Sequence, residues 1–177
     1  MSQTPSTPPE SKGDAKEFNV KLLRSIKDEK LEQAVLDYIF SKIAAQPKRL
    51  REVIQALPPG FRVFYFTWLV ESEVMNGGFN QYFWNASAQF AEQTPAALEA
   101  IGDSEAAAIV RNAVRTAMAE AATRQAFKQA GTLEAFSESY KHTKLHEFDG
   151  PFVERAEKFP ALRIQYIRQH EQAFVTP

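Results

Sequence analysis

The sequence contains no cysteine, and this absence excludes several kinds of chemistry. Disulfides, zinc-thiolate sites, iron–sulfur clusters and a cysteine nucleophile all require a thiol. Long apolar runs are lacking too: the longest, residues 63–70, is far shorter than the roughly 20 residues of a membrane-spanning helix. The first 13 residues lack the apolar segment of a secretory signal. We therefore expect a cytoplasmic protein without membrane contacts.

Common catalytic motifs are absent as well. There is no glycine-rich phosphate loop, dinucleotide fingerprint, serine-hydrolase elbow or zinc-protease helix motif. His142 and His146 have the i, i+4 spacing of a helical metal site, but Lys141 and Lys144 beside them would repel a cation. Solvated histidines are the favoured interpretation. The sequence therefore shows no common catalytic motif, and it predicts no metal and no cofactor.

Apolar residues recur at helical spacing through most of the chain. They make up 44% of 177 residues and include 14 phenylalanines, which predicts one aromatic-rich core. No alternating strand pattern occurs. We predict an all-α fold with a single compact multi-helix domain over residues 14–177. Residues 1–13 are rich in Pro, Ser and Thr, and we predict a disordered tail there.

Proline, glycine and capping residues divide this domain into segments. Asn76-Gly77-Gly78 is predicted to end the long apolar helix from Phe61 with a left-handed cap and a tight reversal. Asp149-Gly150-Pro151 is predicted to be a turn. The other predicted helices begin near Asp14, Asp28, Pro47, Thr94, Ser104, Leu133, Pro151 and Pro160.

The segment around the two glycines combines amides with aromatic side chains. Its structural interpretation is a helix terminus whose aromatics fill the core while its amides satisfy backbone groups. Glu71 and Glu73 lie about 200° apart on a helix and cannot share one substrate, so we expect Glu73 to hold donors near the following turn. Aromatic and amide side chains are also common in interfaces, so a binding role stays open.

Charge is distributed unevenly along the chain. The net charge of −1 does not predict direct binding of nucleic acid. Residues 63–110, however, contain six acidic residues and no Lys or Arg. We expect four of these acids to form one patch that meets a protein partner: Glu92, Glu99, Asp103 and Glu105.

The glycine segment resembles a known family of bacterial helical proteins of unknown function, whose characterised branch contains a DNA mimic. The similarity extends over roughly residues 30–170 and continues through Ala100-Ile101-Gly102 and Leu145-x-x-x-Asp149-x-x-Phe152. Its central motif is Glu73-x-x-Asn76-Gly77-Gly78-Phe79-x-Gln81-Tyr82-Phe83-x-Asn85. The resemblance implies a helical fold, a homodimer, no enzymatic activity and, in the mimic branch, acidic side chains that occupy the DNA-binding face of a regulator.

Two kinds of function follow as hypotheses. The leading one is a non-enzymatic interaction module that presents its acidic region to a protein such as a transcription regulator. The alternative is an enzyme or small-ligand binder whose pocket joins Asn76, Gln81, Asn85 and a titratable group. In one form of this alternative, His142 and His146 supply a metal site. An immunity-type binder without acidic specificity is a third possibility.

Overall fold

The fold is all-α, as the sequence predicted. A computed structural model describes residues 17–176, and within this range there are helices but no strands. The predicted tail, residues 1–13, lies outside the described residues. The α-helices are α1 (Val20–Ser25), α2 (Asp28–Ala45), α3 (Leu50–Ala56), α4 (Pro59–Trp84), α5 (Thr94–Ala100), α6 (Ser104–Ala119), α7 (Ala121–Ala130), α8 (Leu133–Ser139), α9 (Asp149–Ala156) and α10 (Phe159–Gln169). Short 3₁₀ helices cover Pro47–Arg49, Ala86–Phe90, Tyr140–His142, Leu145–Phe148 and Glu171–Phe174.

Side-chain caps and first-turn acids account for several helix starts. Asp103 accepts a hydrogen bond from the backbone N–H of Ala106 at 2.9 Å and so begins α6. Thr132 caps α8 in the same way through Ala135. Helix α2 begins at Asp28 as predicted, with two acidic residues in its first turn.

Two predicted boundaries were wrong. The helix expected to run from Ser104 to about Thr123 ends at Ala119, and the separate helix α7 follows it. Asp149-Gly150-Pro151 is the first turn of α9 and not a turn between helices. Proline is tolerated there because the first-turn N–H groups of a helix have no intrahelical partner.

The described chain divides into two compact units. The first takes in the chain up to Arg62 and from Ile167 onward, and the second is Val63–Tyr166. The prediction of a single domain over residues 14–177 stays a prediction.

The first unit is built around an aromatic cluster. The ring of Phe61 lies 4.7 to 5.2 Å from the rings of Phe18, Tyr38 and Phe174. All four are buried. Arg168 ties this unit together at its surface by donating hydrogen bonds to Asp28 and to the backbone carbonyls of Leu23 and Ile26 at the end of α1.

The second unit has a larger core, which surrounds the second half of α4. Its buried members include Val70, Phe79, Tyr82, Phe83, Leu98, Val110, Leu145, Phe152 and Phe159. Small alanines on α6 allow close packing, since Ala106, Ala107, Ala113 and Ala117 are all buried. Helix α7, by contrast, has no buried residue. No described helix is long and apolar enough to cross a membrane.

Candidate functional site

The two glycines kink helix α4 and do not end it. Gly77 (φ −159°, ψ 28°) and Gly78 (φ 69°, ψ −177°) leave the helical conformation, and the helix resumes at Phe79. The predicted reversal was therefore wrong, although the break occurs at the predicted residues. A break needs partners for the freed backbone groups. Asp149 accepts the N–H of Phe79 at 2.8 Å, and the Tyr140 hydroxyl donates to the carbonyl of Gly77 at 2.8 Å.

Only glycine fits at position 78. Its backbone angles fall in a region that is essentially restricted to glycine. A Cβ atom there would lie 2.8 Å from Cγ of Asp149 and even nearer to one of its carboxylate oxygens. Gly77 differs, because its φ is close to extended and the atoms that a Cβ would meet belong to the flexible side chain of Gln81. The kink thus brings the Asp149 carboxylate directly against the α4 backbone.

The Asp149 carboxyl is half-buried at this kink. Burial raises its pKa above the ordinary value of 3.8, and the Phe79 N–H and His146 offset part of that rise. The Tyr140 hydroxyl, on the other side of the kink, has a raised pKa mainly because it is also partly buried. Asp149 and Tyr140 are therefore both partly buried where they bond to the backbone of Phe79 and Gly77.

Glu73 is the centre of a hydrogen-bond cluster one helical turn before the kink. Its Oε2 accepts from the amides of Gln81 at 2.9 Å and Asn85 at 2.8 Å, and its Oε1 accepts from the Ser87 hydroxyl at 2.6 Å. Asn76 joins the cluster by donating to the amide oxygen of Gln81 at 3.0 Å. Glu73, which precedes the kink, thus holds three donors that follow it, as the sequence suggested. We call these five side chains the Glu73 cluster.

The aromatic residues of the motif pack into the core of the second unit. Phe79, Tyr82 and Phe83 are 0 to 5% exposed, and the Phe79 ring also contacts Phe152 at 5.2 Å. The Tyr82 hydroxyl lies 2.9 Å from that of Thr94. Burial raises the pKa of Tyr82 far above its ordinary range. These three aromatics therefore have the packing role expected of them.

The helical hairpin α7–α8 is joined to the same region by polar contacts. Lys128 donates to the carbonyl of Phe83 at 3.1 Å, near the end of α4, and Asn80 donates to Ser139 at 2.9 Å. Burial, helped by Arg124, lowers the pKa of Lys128. A cavity of about 10 Å³ lies beside Asn80 and Arg124, large enough for roughly one water molecule.

Three of the four predicted partner-binding acids form ion pairs within the second unit. Arg155 donates to both oxygens of Asp103 at 3.0 and 3.1 Å and to Glu105 at 2.8 Å. Arg111 pairs with Glu99 at 2.7 Å. Glu92 is exposed and forms no ion pair with residues 17–176.

Burial separates these acids into two groups. The side chain of Asp103 is 1% exposed, so it caps α6 and holds Arg155 and presents no carboxylate to a partner. Glu99 and Glu105 are 48 and 73% exposed. Glu92, Glu99 and Glu105 are therefore accessible, and Asp103 is not.

The histidine pair does not have the geometry of a metal site. His142 and His146 lie in two different 3₁₀ helices, so the helical i, i+4 relationship is absent. His142 contacts Glu138 at 3.4 Å, and His146 bonds to the backbone of Thr143. Within residues 17–176 no group of three His, Asp or Glu side chains could hold a metal ion.

Residues distant in sequence complete the site. Asp149 and Tyr140 lie 70 and 63 residues from the backbone groups that they hold, and hydrophobic periodicity does not reveal such contacts. The only sequence signal was the place of Asp149 in the family-like motif. Arg155 gave no signal, because a charged residue on a helix surface is usually solvated.

The chain is thus a helical protein whose long helix α4 is kinked at a glycine pair. The carboxylate of Asp149, from helix α9, bonds to the backbone at this kink. A family model described as DMP19-like protein matches residues 55–170, and the chain belongs to this family. No curated protein and no solved structure matches the chain.

Proposed function

We propose that the chain is a non-enzymatic protein-interaction module, and that the acidic surface of its second unit binds a basic protein such as a DNA-binding regulator. Family membership supports this function. The observation that carries it is charge: Val63–Tyr166 contains thirteen acidic and nine basic side chains, a surplus of four negative charges. Three of these acidic side chains are accessible to a partner at the surface: Glu92, Glu99 and Glu105.

Exposed ion pairs leave these carboxylates free to change partners. Arg111 and Glu99 are each nearly half exposed, and such pairs typically contribute between about 0 and 1 kcal/mol to stability. A regulator that binds DNA presents Lys and Arg positioned for phosphates. Glu99 could therefore exchange Arg111 for a Lys or Arg on the DNA-binding face of the partner at little cost in stability.

Self-association belongs to the same proposal. The resemblance implies a homodimer, and the second unit exposes three large apolar side chains, Met75, Met118 and Leu133, each 57 to 67% exposed. Exposed apolar residues are frequent in subunit contacts. Sedimentation of the purified chain over a range of concentrations measures its mass, and a monomer at all concentrations contradicts this part.

Capture experiments test the acidic surface. The full chain and a variant with Glu92, Glu99 and Glu105 replaced by Gln are immobilised and exposed to a bacterial lysate. The matched control replaces Glu17, Glu29 and Glu52, three exposed acids of the first unit, by Gln.

We expect the native chain and the control to retain a DNA-binding protein that duplex DNA displaces, and the acidic-surface variant to lose it. Recovery of the chain's own subunit alone, or equal capture by all three proteins, would contradict the proposal. Capture of a protein that does not bind DNA would favour an immunity-type binder instead.

A second candidate function follows from the Glu73 cluster. The amides of Asn76, Gln81 and Asn85 converge with a titratable group, as a small-ligand site or an enzyme would require. The cavity of about 10 Å³ near the kink is lined by Asn80 and not by this cluster. A ligand would therefore have to displace bonds that the cluster makes internally.

Thermal stabilisation by small metabolites tests this second candidate. A metabolite that raises the melting temperature of the native chain, but not of a Gln81→Ala variant, would support a ligand site. Comparable responses of both proteins to every compound would leave the cluster with a structural role alone.

A further inference from the structure

The junction between α2 and α3 carries an exposed basic surface that the proposed function does not use. Residues 38–51 contain four cationic and no acidic residues. All four cations are exposed, and we call them the basic junction: Lys42, Lys48, Arg49 and Arg51.

Helix dipoles and local contacts favour a positive charge at only one of these four positions. Lys42 lies in the last turn of α2, where the helix dipole favours a cation, and its Nζ lies 5.0 Å from the Tyr38 ring. Arg49 and Arg51 are at the start of α3, where the dipole disfavours cations. Within residues 17–176 none of the four cations forms an ion pair that would offset this placement.

Other basic residues of the first unit differ in this respect. Lys27 and Lys30 alternate with Asp28 and Glu29, and Arg168 pairs with Asp28 at 2.6 Å. Two acids balance the two lysines there, whereas the four cations of the basic junction have only Asp37 and Glu52 beside them in sequence, which leaves a surplus of two positive charges. The family model matches residues 55–170, so the match begins after the basic junction and not near residue 30 as the resemblance suggested.

We propose that the basic junction binds the phosphate backbone of duplex nucleic acid without reading its sequence. Arginine and lysine are the side chains that contact phosphates most often, and exposed unpaired cations need no rearrangement to do so. Single strands are a poorer fit, because they are usually held by exposed aromatic rings. Tyr38 is only 7% exposed and Phe40 is partly buried, so the junction offers no such ring.

The acidic surface of the second unit does not contradict this role. Net charge over the whole chain is −1, which alone predicts no affinity for nucleic acid. Contacts with phosphates are short-ranged at physiological salt, however, because charges are screened beyond roughly 8 Å. Binding by the basic junction therefore depends mainly on the charges next to it, which are its four cations and the neighbouring Glu52.

Fluorescence anisotropy of a labelled DNA duplex tests the proposal with the full chain. We expect a dissociation constant of roughly 10⁻⁴ to 10⁻⁶ M at physiological salt, which is typical of non-specific binding. Replacement of Lys48, Arg49 and Arg51 by Gln should weaken binding at least tenfold. The slope of log K against log salt concentration should fall in magnitude by roughly 2 to 3, because each phosphate contact contributes about 0.9.

The control variant replaces Lys21, Lys27 and Lys30 by Gln and removes the same total charge from exposed positions. It should bind within about twofold of the native chain. A third variant exchanges Lys48 for Arg and Arg49 and Arg51 for Lys, which retains the charge and should retain binding. Helical circular dichroism confirms that each protein is folded.

Several results would overturn the proposal. One is equal loss of binding in the two Gln variants, which would point to net charge and not to the junction. Another is preference for a single-stranded oligonucleotide of the same length. Binding to phosphatidylserine vesicles without binding to duplex DNA would assign the junction to a membrane surface instead. Absence of binding even at about 50 mM salt would refute a phosphate contact of any kind.

Discussion

Substitution of Gly78 by alanine tests the geometry of the kink most directly. The backbone at this position adopts angles essentially restricted to glycine, and another residue there costs about 1 to 3 kcal/mol. The new Cβ would also lie 2.8 Å from Cγ of Asp149. The carboxylate must then move away from the Phe79 N–H, and a buried donor left unsatisfied costs about 1 to 3 kcal/mol.

These two effects together predict a loss of about 2 to 6 kcal/mol in the free energy of unfolding. For a chain of this length, each kcal/mol lowers the melting temperature by roughly 2 to 4 °C. The midpoint of the estimate corresponds to a decrease of roughly 8 to 16 °C. Thermal unfolding followed by circular dichroism at 222 nm measures it, and chemical denaturation gives the free energy independently.

Two other glycines provide matched controls. Gly131 also has a positive φ, of 64°, but a Cβ there would meet nothing within 4 Å. Alanine at this position should therefore cost only the conformational part, about 1 to 2 kcal/mol. Gly150 lies in the first turn of α9 with open space around it, and alanine there should be neutral or slightly stabilising.

Comparison of these variants separates strain from the Asp149 contact. Equal losses for Gly78→Ala and Gly131→Ala would show that the contact with Asp149 contributes nothing. An unchanged melting temperature for Gly78→Ala would refute the whole interpretation of the kink. Combining Gly78→Ala with Asp149→Ala should cost less than the sum of the two changes, because the second removes the group that the new Cβ displaces.

Three further predictions concern the surroundings of the kink. Because the pKa of Asp149 is raised in the folded protein, the native chain should gain stability relative to Asp149→Asn as pH falls through that pKa, in parallel melting curves from pH 6 to pH 3. Arg155→Met should destabilise the chain more than Arg111→Met in chemical denaturation, because only the former leaves a buried carboxylate, Asp103, without its cation. Backbone amides of α7, which has no buried residue, should exchange with deuterium faster than those of α6, and equal protection would contradict this.

The sequence predicted most of the helices because their ends carry local signals. Asp103 caps α6, and Pro95 lies in the first turn of α5; both act within a few positions. Thr94 was expected to cap α5 but is its first helical residue, and the N-cap position is Gln93. Helix α7 was missed because its start carries no such local signal. Its boundary with α6 at Glu120 contains no glycine or proline, and many alanines on both sides allow an unbroken helix to be expected.

The kink shows where local reasoning ends. Glycines can take left-handed angles, so the sequence correctly predicted that the helix is interrupted at Gly77 and Gly78. It could not show that only Gly78 has a positive φ, nor that the chain continues as a helix. Both depend on Asp149 and Tyr140, which supply partners for the exposed backbone groups from far along the chain.

The acidic patch illustrates the same limit for charge. A stretch without Lys or Arg predicts an anionic surface only if no arginine reaches it from elsewhere, and Arg155 does reach it. The guanidinium of Arg155 bonds to both oxygens of the buried Asp103, and these two bonds fix its position beside Glu105. Glu105 is the more exposed partner and can leave Arg155 at small cost. A basic partner would therefore bind Glu105 while the bond between Arg155 and Asp103 stays intact. Replacement of Glu105 by Gln should weaken partner binding without lowering the free energy of unfolding appreciably. Replacement of Asp103 by Asn should instead lower the free energy of unfolding.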